Sequence, residues 1–262
     1  MTSDLRQRLR RASNLAAEHG IDAMLVSPSA DLRYLTGYHA KPLERLTCLV
    51  LPSEGDPVMV VPLLERASAE AFGVTELGVR IVTWDETDDP YALAARHIPG
   101  ARPTIAFDNH MWAEKVLAFE AAMPTARTAL AGDVLGRLRM RKSEPEIDLL
   151  RDAASAIDRV HARMGEWLRP GRTEHEVAAD IAYAILEEGH VSADFVIVGS
   201  GPNGASPHHD VSDRVIEPDE PVVVDIGGTT PLGYCSDSTR TYVTGADAPQ
   251  EFRDYYAVLV EA

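Results

Sequence analysis

The stretch Val222-Val-Val-Asp225-Ile-Gly-Gly-Thr-Thr-Pro-Leu-Gly-Tyr-Cys-Ser-Asp237-Ser-Thr-Arg240-Thr241 reads as two strands joined by a turn. Val222 to Ile226 is a short apolar run, and Tyr234 to Val243 a second strand-like run. Between them, the glycines and proline of residues 227–233 let the chain reverse. The return strand is then antiparallel to the first. Alternation of side chains puts Val223 and Asp225 on one face. It puts Cys235, Asp237, Thr239 and Thr241 on one face of the return strand. Two carboxylates can therefore meet on the same side of a hairpin. A charge inside an apolar strand needs a cation or several donors, because an isolated buried charge is very costly. Facing carboxylates repel unless a shared proton, an Arg or a metal lies between them. Oxygen donors suit hard or borderline divalent ions such as Mn²⁺. Spacing alone leaves another arrangement open, in which Asp225 caps a turn and Asp237 pairs with Arg240.

Upstream lies Gly199-Ser-Gly-Pro-Asn-Gly-Ala-Ser-Pro207-His208-His209, a Gly-rich loop after the strand Phe195 to Val198. It lacks the Gly-Lys-Ser/Thr ending of a phosphate-binding loop and the Gly-x-Gly-x-x-Gly spacing of a dinucleotide fold. Its chemistry rests on two adjacent histidines, which point oppositely in an extended segment. His208 is the candidate for a site, and His209 is expected to be solvated. Imidazole can ligate a metal or donate to a substrate oxygen. His161 and His175 fall on predicted helices and are expected to face solvent or the core edge. Cys235 shares the predicted face of Asp237, which leaves a metal-facing thiol open, but it is expected to serve packing. No Gly-x-Ser-x-Gly elbow supports a serine hydrolase.

Working back toward the start, two predicted helices precede these strands. Ser143-Glu-Pro-Glu146 has the form of a capping box and opens a helix expected over 144–168. Thr173-Glu-His-Glu176 repeats the form and opens a helix to Glu188. Helices followed by strands predict an α+β unit. Residues 1–133 read differently. Helical spacing at Leu5, Leu9, Ala12 and Ala16 is followed by strands at 21–27, 46–52, 57–62, 79–84 and 103–107. Helices are expected at 63–72, 91–97 and 112–123. The alternation predicts an α/β domain over 1–133 and a second domain over 134–262, with residues 135–142 as the connector.

Composition bounds the rest. The chain has 262 residues, and its 25 Lys and Arg against 41 Asp and Glu give a net charge of −16. Bulk attraction to nucleic acid or an anionic membrane is thereby disfavoured. Two cysteines, Cys48 and Cys235, make no disulfide framework and are expected to be reduced thiols. Residues 1–11 lack the apolar core of a signal peptide, and no stretch is long and apolar enough to span a bilayer. A cytoplasmic location is expected, with no nucleic-acid or membrane partner.

Residues 199–240 resemble the pita-bread metallopeptidases, in particular Xaa-Pro dipeptidases (prolidases) and aminopeptidase P. Three elements carry the resemblance in order: the loop ending Pro207-His208, the Val-Val-Asp225-x-Gly strand, and the Gly-Tyr-x-Ser-Asp237-x-Thr-Arg-Thr strand. Leu138-Arg-Met-Arg-Lys142-Ser-Glu-x-Glu146 resembles the linker and first helix of that catalytic domain, and Tyr34-Leu-Thr-Gly37 a motif of the creatinase-type N-terminal domain. The resemblance implies an α/β creatinase-type N-terminal domain over 1–133 and the N-terminal portion of an α+β pita-bread catalytic domain over 134–262. It implies hydrolysis of Xaa-Pro bonds in dipeptides or short peptides. It also implies two divalent ions (Mn²⁺ foremost, with Co²⁺ or Zn²⁺ as alternatives) and a homodimer. Asp225 would bind one metal and Asp237 bridge both. A bridging hydroxide would attack the peptide carbon while His208 hydrogen-bonds the substrate. Strand parity suggests that Thr239 steadies Asp237.

The Asp225-to-Asp237 spacing is one residue longer than in many members, which the Gly-Gly-Thr-Thr-Pro loop can absorb. In that family a later His and two Glu complete the metal site, and this chain ends at Ala262 inside a predicted helix. As written it is therefore expected to be a truncated form that binds metal weakly and hydrolyses little by itself. Two other functions are compatible with the fold: a creatinase-like hydrolase working without metal, and a non-catalytic peptide-binding module.

Overall fold

The protein is described by a computed structural model covering residues 2–245 and 247–262. It divides into two compact units, one ending at Arg141 and the other beginning at Lys142.

The first unit runs α1 (Thr2–Glu18), β1 (Ala23–Val26), α2 (Ala30–Thr36), β2 (Cys48–Pro52), β3 (Val58–Pro62), α3 (Arg66–Ala71), β4 (Arg80–Trp84), α4 (Pro90–Ala95), β5 (Thr104–Phe107), α5 (Ala113–Ala122), β6 (Arg127–Leu130) and α6 (Gly132–Met140). Its sheet has the order β4-β3-β2-β1-β5-β6. The β1–β2 and β2–β3 pairs are antiparallel, and β3–β4, β1–β5 and β5–β6 are parallel. Both faces are covered. Met24 and Val26 pack with Leu9, Leu32, Leu35 and Leu135 on one side. Ala23 and Leu25 pack with Val50, Phe107 and Phe119 on the other. Strands buried on both faces read as unbroken apolar runs, which is why these were visible in the sequence.

Three elements depart from expectation, among them β6, a strand not read from the sequence because its residues are mostly exposed and carry no apolar run. The stretch 135–142, expected to connect, is instead largely the helix α6, because Val134, Leu135 and Leu138 form a buried stripe at helical spacing beneath the arginines. The boundary read near 133 thus falls at the start of a helix that packs into the first core. Tyr34-Leu-Thr-Gly37 closes a helix not read from the sequence. The Ser29 hydroxyl caps α2, and Gly37, at φ 73°, ends it in the left-handed conformation that glycine adopts freely.

The second unit runs α7 (Glu144–Ala162), α8 (Glu174–Glu187), β7 (Ser192–Ser200), β8 (Pro221–Thr229), β9 (Cys235–Val243) and α9 (Gln250–Glu261). Both capping boxes form. Glu146 accepts from the Ser143 backbone N–H at 2.8 Å, and Glu176 from that of Thr173 at 3.0 Å. α7 stops earlier than expected. A single 3-10 turn at Met164–Glu166 follows it and turns Met164 and Trp167 into the core. The strands form an antiparallel sheet, β7-β8-β9. Val222, Val224 and Ile226 alternate onto the face covered by Ile157, Val160, Val177, Ile181 and Ile185 of the two helices. The opposite set, Val223, Asp225 and Thr229, is only half-buried. One side of this sheet is a core and the other is open. No helix among the described residues is long and apolar enough to cross a membrane.

Candidate metal centre

The open face is set by register. Asp225 stands directly opposite Thr239, and Gly227 opposite Asp237. Directly opposed residues share a face, so Asp225, Asp237 and Thr239 all project from the side that the helices leave uncovered. Asp237 lies on the diagonal from Asp225, a separation that side chains can bridge. Ile197 of β7 flanks Asp225 on the other edge, and Phe195 flanks Gly227. A β-bulge at Asp194 shifts the register there.

The glycines after Asp225 answer to close packing. A Cβ on Gly227 would lie 2.5 Å from both the Phe195 ring and the Ser236 carbonyl oxygen. One on Gly228 would lie 2.5 Å from the Ser192 carbonyl oxygen. The three backbones can approach here only where β8 carries no side chain.

Asp225 is half-buried rather than enclosed, since the open face gives it access to solvent. Its Oδ1 accepts the Thr239 hydroxyl at 2.6 Å. The expected partner of Thr239 was Asp237, but direct opposition across the hairpin brings the hydroxyl to Asp225 instead. Asp237 is exposed. The Arg240 guanidinium turns to Asp158, 3.4 Å away, so the alternative pairing of Asp237 with Arg240 does not form. Neither carboxylate is clamped by a guanidinium among the described residues.

These groups fit a hard cation in kind. They are two oxygen donors on one face, with one Asp225 oxygen held in place and the other left for a ligand. They are also an incomplete set: among the described residues no three His, Cys, Asp or Glu side chains gather as a metal site. Asp225 and Asp237 can therefore supply part of a coordination shell.

His208 is exposed in the turn after the short 3-10 segment Gly201–Ala205. His209, expected to be solvated, is turned inward instead: its side chain is 15% exposed, and its Nε2 lies 2.8 Å from Glu174 Oε2. Glu174, at the first turn of α8, has a side chain with 0% exposure. Burial alone would push its carboxyl up in pKa. Hydrogen bonds from His209, Ser200 and Ser212 outweigh that and hold it at about 2.

Other side chains sort as follows. His161, expected to face solvent or the core edge, takes the second place and is buried between α7 and β9. Its Nδ1 meets the Tyr242 hydroxyl at 2.8 Å and its Nε2 the Ser238 carbonyl at 3.1 Å. Burial lowers its pKa, opposed by the Ser238 bond. His175 is exposed beside Asp213. Both cysteines are free thiols; Cys48 is buried, whereas Cys235 is exposed on the open face and does not serve packing.

Comparison with known proteins agrees along the chain. Residues 8–141 match the model of the creatinase/prolidase N-terminal domain, and residues 148–262 that of metallopeptidase family M24. The chain is 48% identical over 256 residues to the "Probable dipeptidase PepE" of Mycobacterium tuberculosis, covering 98% of this chain and 68% of that protein. It is 31% identical to an Xaa-Pro dipeptidase of Lactobacillus delbrueckii subsp. lactis, covering 95% and 68%. The crystal structure of dipeptidase PepE from Mycobacterium ulcerans superposes with a TM-score of 0.91 at 47% identity, covering 98% of this chain and 69% of that one.

Proposed function

The chain belongs to metallopeptidase family M24, with the pita-bread fold and a creatinase/prolidase N-terminal domain, and from that premise we propose that it serves hydrolysis of Xaa-Pro bonds in dipeptides or short peptides. The observation that carries this reading is the shared open face of Asp225 and Asp237 on adjoining strands. The names of the relatives support the substrate class.

In this reading Asp225 and Asp237 contribute ligands to two divalent ions, Mn²⁺ foremost, with Co²⁺ or Zn²⁺ as alternatives. Ions held there would supply Lewis-acid polarisation of a peptide carbonyl and would acidify a water molecule toward neutrality. The protein's own residues do the rest. Thr239 orients Asp225 by holding Oδ1. His208, exposed beside the inward-turned His209, donates to the scissile carbonyl oxygen as negative charge develops on it. Ile197 flanks Asp225 and Phe195 flanks Gly227, which gives the face an apolar edge along β7. A homodimer in the cytoplasm completes the proposal.

Calorimetric titration with Mn²⁺ tests it, together with release of proline from an Xaa-Pro dipeptide and from a matched dipeptide without proline. Asp225→Asn and Asp237→Asn are each expected to abolish Mn²⁺ binding while leaving the urea midpoint in place. Mn²⁺ affinity unchanged in both variants would remove the metal assignment. Faster cleavage of the dipeptide without proline would remove the specificity.

A further inference from the structure

The loop of residues 201–211, which carries His208, is closed by one carboxylate. Glu174 Oε1 accepts from the Ser200 backbone N–H at 2.8 Å, the Ser200 hydroxyl at 2.7 Å and Asn203 Nδ2 at 3.0 Å. Its Oε2 accepts from His209 Nε2 at 2.8 Å, the Ser212 N–H at 3.1 Å and the Ser212 hydroxyl at 2.7 Å. One oxygen thus holds the way into the loop and the other the way out. The arrangement saturates the acceptor: a carboxylate has about four lone-pair sites, and here it meets six donors. A buried charge is tolerated only when hydrogen-bonded in this manner.

A second clasp backs the first. Arg214 Nη1 donates to the Ser200 hydroxyl at 2.6 Å and, with Nη2, forms a bidentate pair with Glu220. Gly201 sits where that pair leaves no room. At φ +49° it adopts the left-handed conformation, and a Cβ there would lie 2.5 Å from Glu220 Oε2. An ionised carboxylate only accepts, so His209 must carry its proton on Nε2. With His209 turned in, its neighbour His208 is left exposed at a fixed place in the chain.

We propose that Glu174 is a positioning residue, a clasp whose buried carboxylate sets the backbone from which His208 acts. The catalytic part of this claim rests on the reading of His208 given above. The clasp itself does not.

Glu174→Gln tests both parts, since it replaces one acceptor oxygen with an NH₂ group that faces three donors. The first readout is NMR on the full chain without metal. The imidazole ¹⁵N shifts of His209 are expected to report the Nε2-protonated tautomer in the parent and to lose it in the variant. Exchange of the Ser200 and Ser212 amides, which both donate to Glu174, is expected to quicken by about tenfold or more. An unchanged tautomer and unchanged exchange overturn the clasp. The second readout is Mn²⁺-supported turnover of an Xaa-Pro dipeptide. Glu174→Gln is expected to lower kcat with little change in KM, and to cost nothing further in a His208→Ala background. An equal further loss in that background makes Glu174 merely structural and overturns the positioning role. If His208→Ala alone leaves kcat unchanged, the catalytic reading of His208 fails and the positioning role with it, while the NMR result still decides the clasp. Should Glu174→Gln not fold, Ser212→Ala, which removes one hydroxyl donor to Oε2, carries the same readouts.

Discussion

Thr239 donates its hydroxyl to Asp225 Oδ1 across 2.6 Å, from the position directly opposite on the neighbouring strand. The bond fixes one rotamer of a carboxylate that is otherwise open to solvent. It does not engage the second oxygen, Oδ2, which the proposed function assigns to a metal ion. Partners of this kind typically alter metal affinity by about 10- to 100-fold when removed. Thr239→Val keeps the branched shape and deletes the donor, so Mn²⁺ affinity measured by calorimetry is expected to fall by about tenfold or more. Thr239→Ser retains the hydroxyl and is expected to stay near the parent. Equal affinity in the parent and the valine variant would show that the bond does not preorganise the site.

Which face each acidic residue occupies could be read from the sequence, because strand alternation allows only two outcomes and a hairpin links them. The partner of Thr239 could not be read. Parity places both aspartates on its face, and only the register tells opposite from diagonal. The helix α6 was obscured by its arginines, which line the solvent side of a stripe of just three buried residues. Glu174 was hidden more deeply. It sits inside a capping-box motif where an exposed acid is the ordinary case, and its donors lie from 26 to 38 residues away in the chain. Long-range polar networks have no local periodicity. The same holds for His209, whose inward turn depends on that distant carboxylate. His161 shares the difficulty, since both its partners come from β9, far along the chain.

Two glycines make opposite predictions. A Cβ on Gly227 would be forced against the Ser236 carbonyl and the Phe195 ring, both 2.5 Å away. Backbone cannot yield without disturbing the hairpin, so Gly227→Ala is expected to destabilise by about 1–3 kcal/mol. Gly136 lies exposed in the interior of α6, with nothing within 4 Å of a Cβ placed there. Gly136→Ala is expected to stabilise by about 0.5–1 kcal/mol, through lower backbone entropy of the unfolded chain. Urea midpoints for the two variants check the pair. A neutral Gly227→Ala would mean that the strands can separate locally without cost.

The pairing of His161 with Tyr242 and Ser238 predicts a pH dependence with a defined sign. The Ser238 carbonyl can only accept, so Nε2 carries the proton and Nδ1 accepts from the Tyr242 hydroxyl. A second proton would force that hydrogen bond to reverse and place a charge in a buried site. Burial accordingly holds the pKa below the ordinary 6.5, with the Ser238 bond opposing and nearby Arg240 adding to the depression. A histidine whose pKa is lowered by folding binds its proton more readily in the unfolded chain. Its contribution to stability is fully present above pH 6.5 and diminishes as the pH falls below that value toward the depressed one. His161→Gln supplies a donor for Ser238 and an acceptor for Tyr242 but does not titrate. Urea unfolding of both proteins between pH 8 and pH 5 should therefore show the parent losing more stability on acidification than the variant. Parallel curves through that range would mean that His161 is protonated as readily in the folded chain as in the unfolded one.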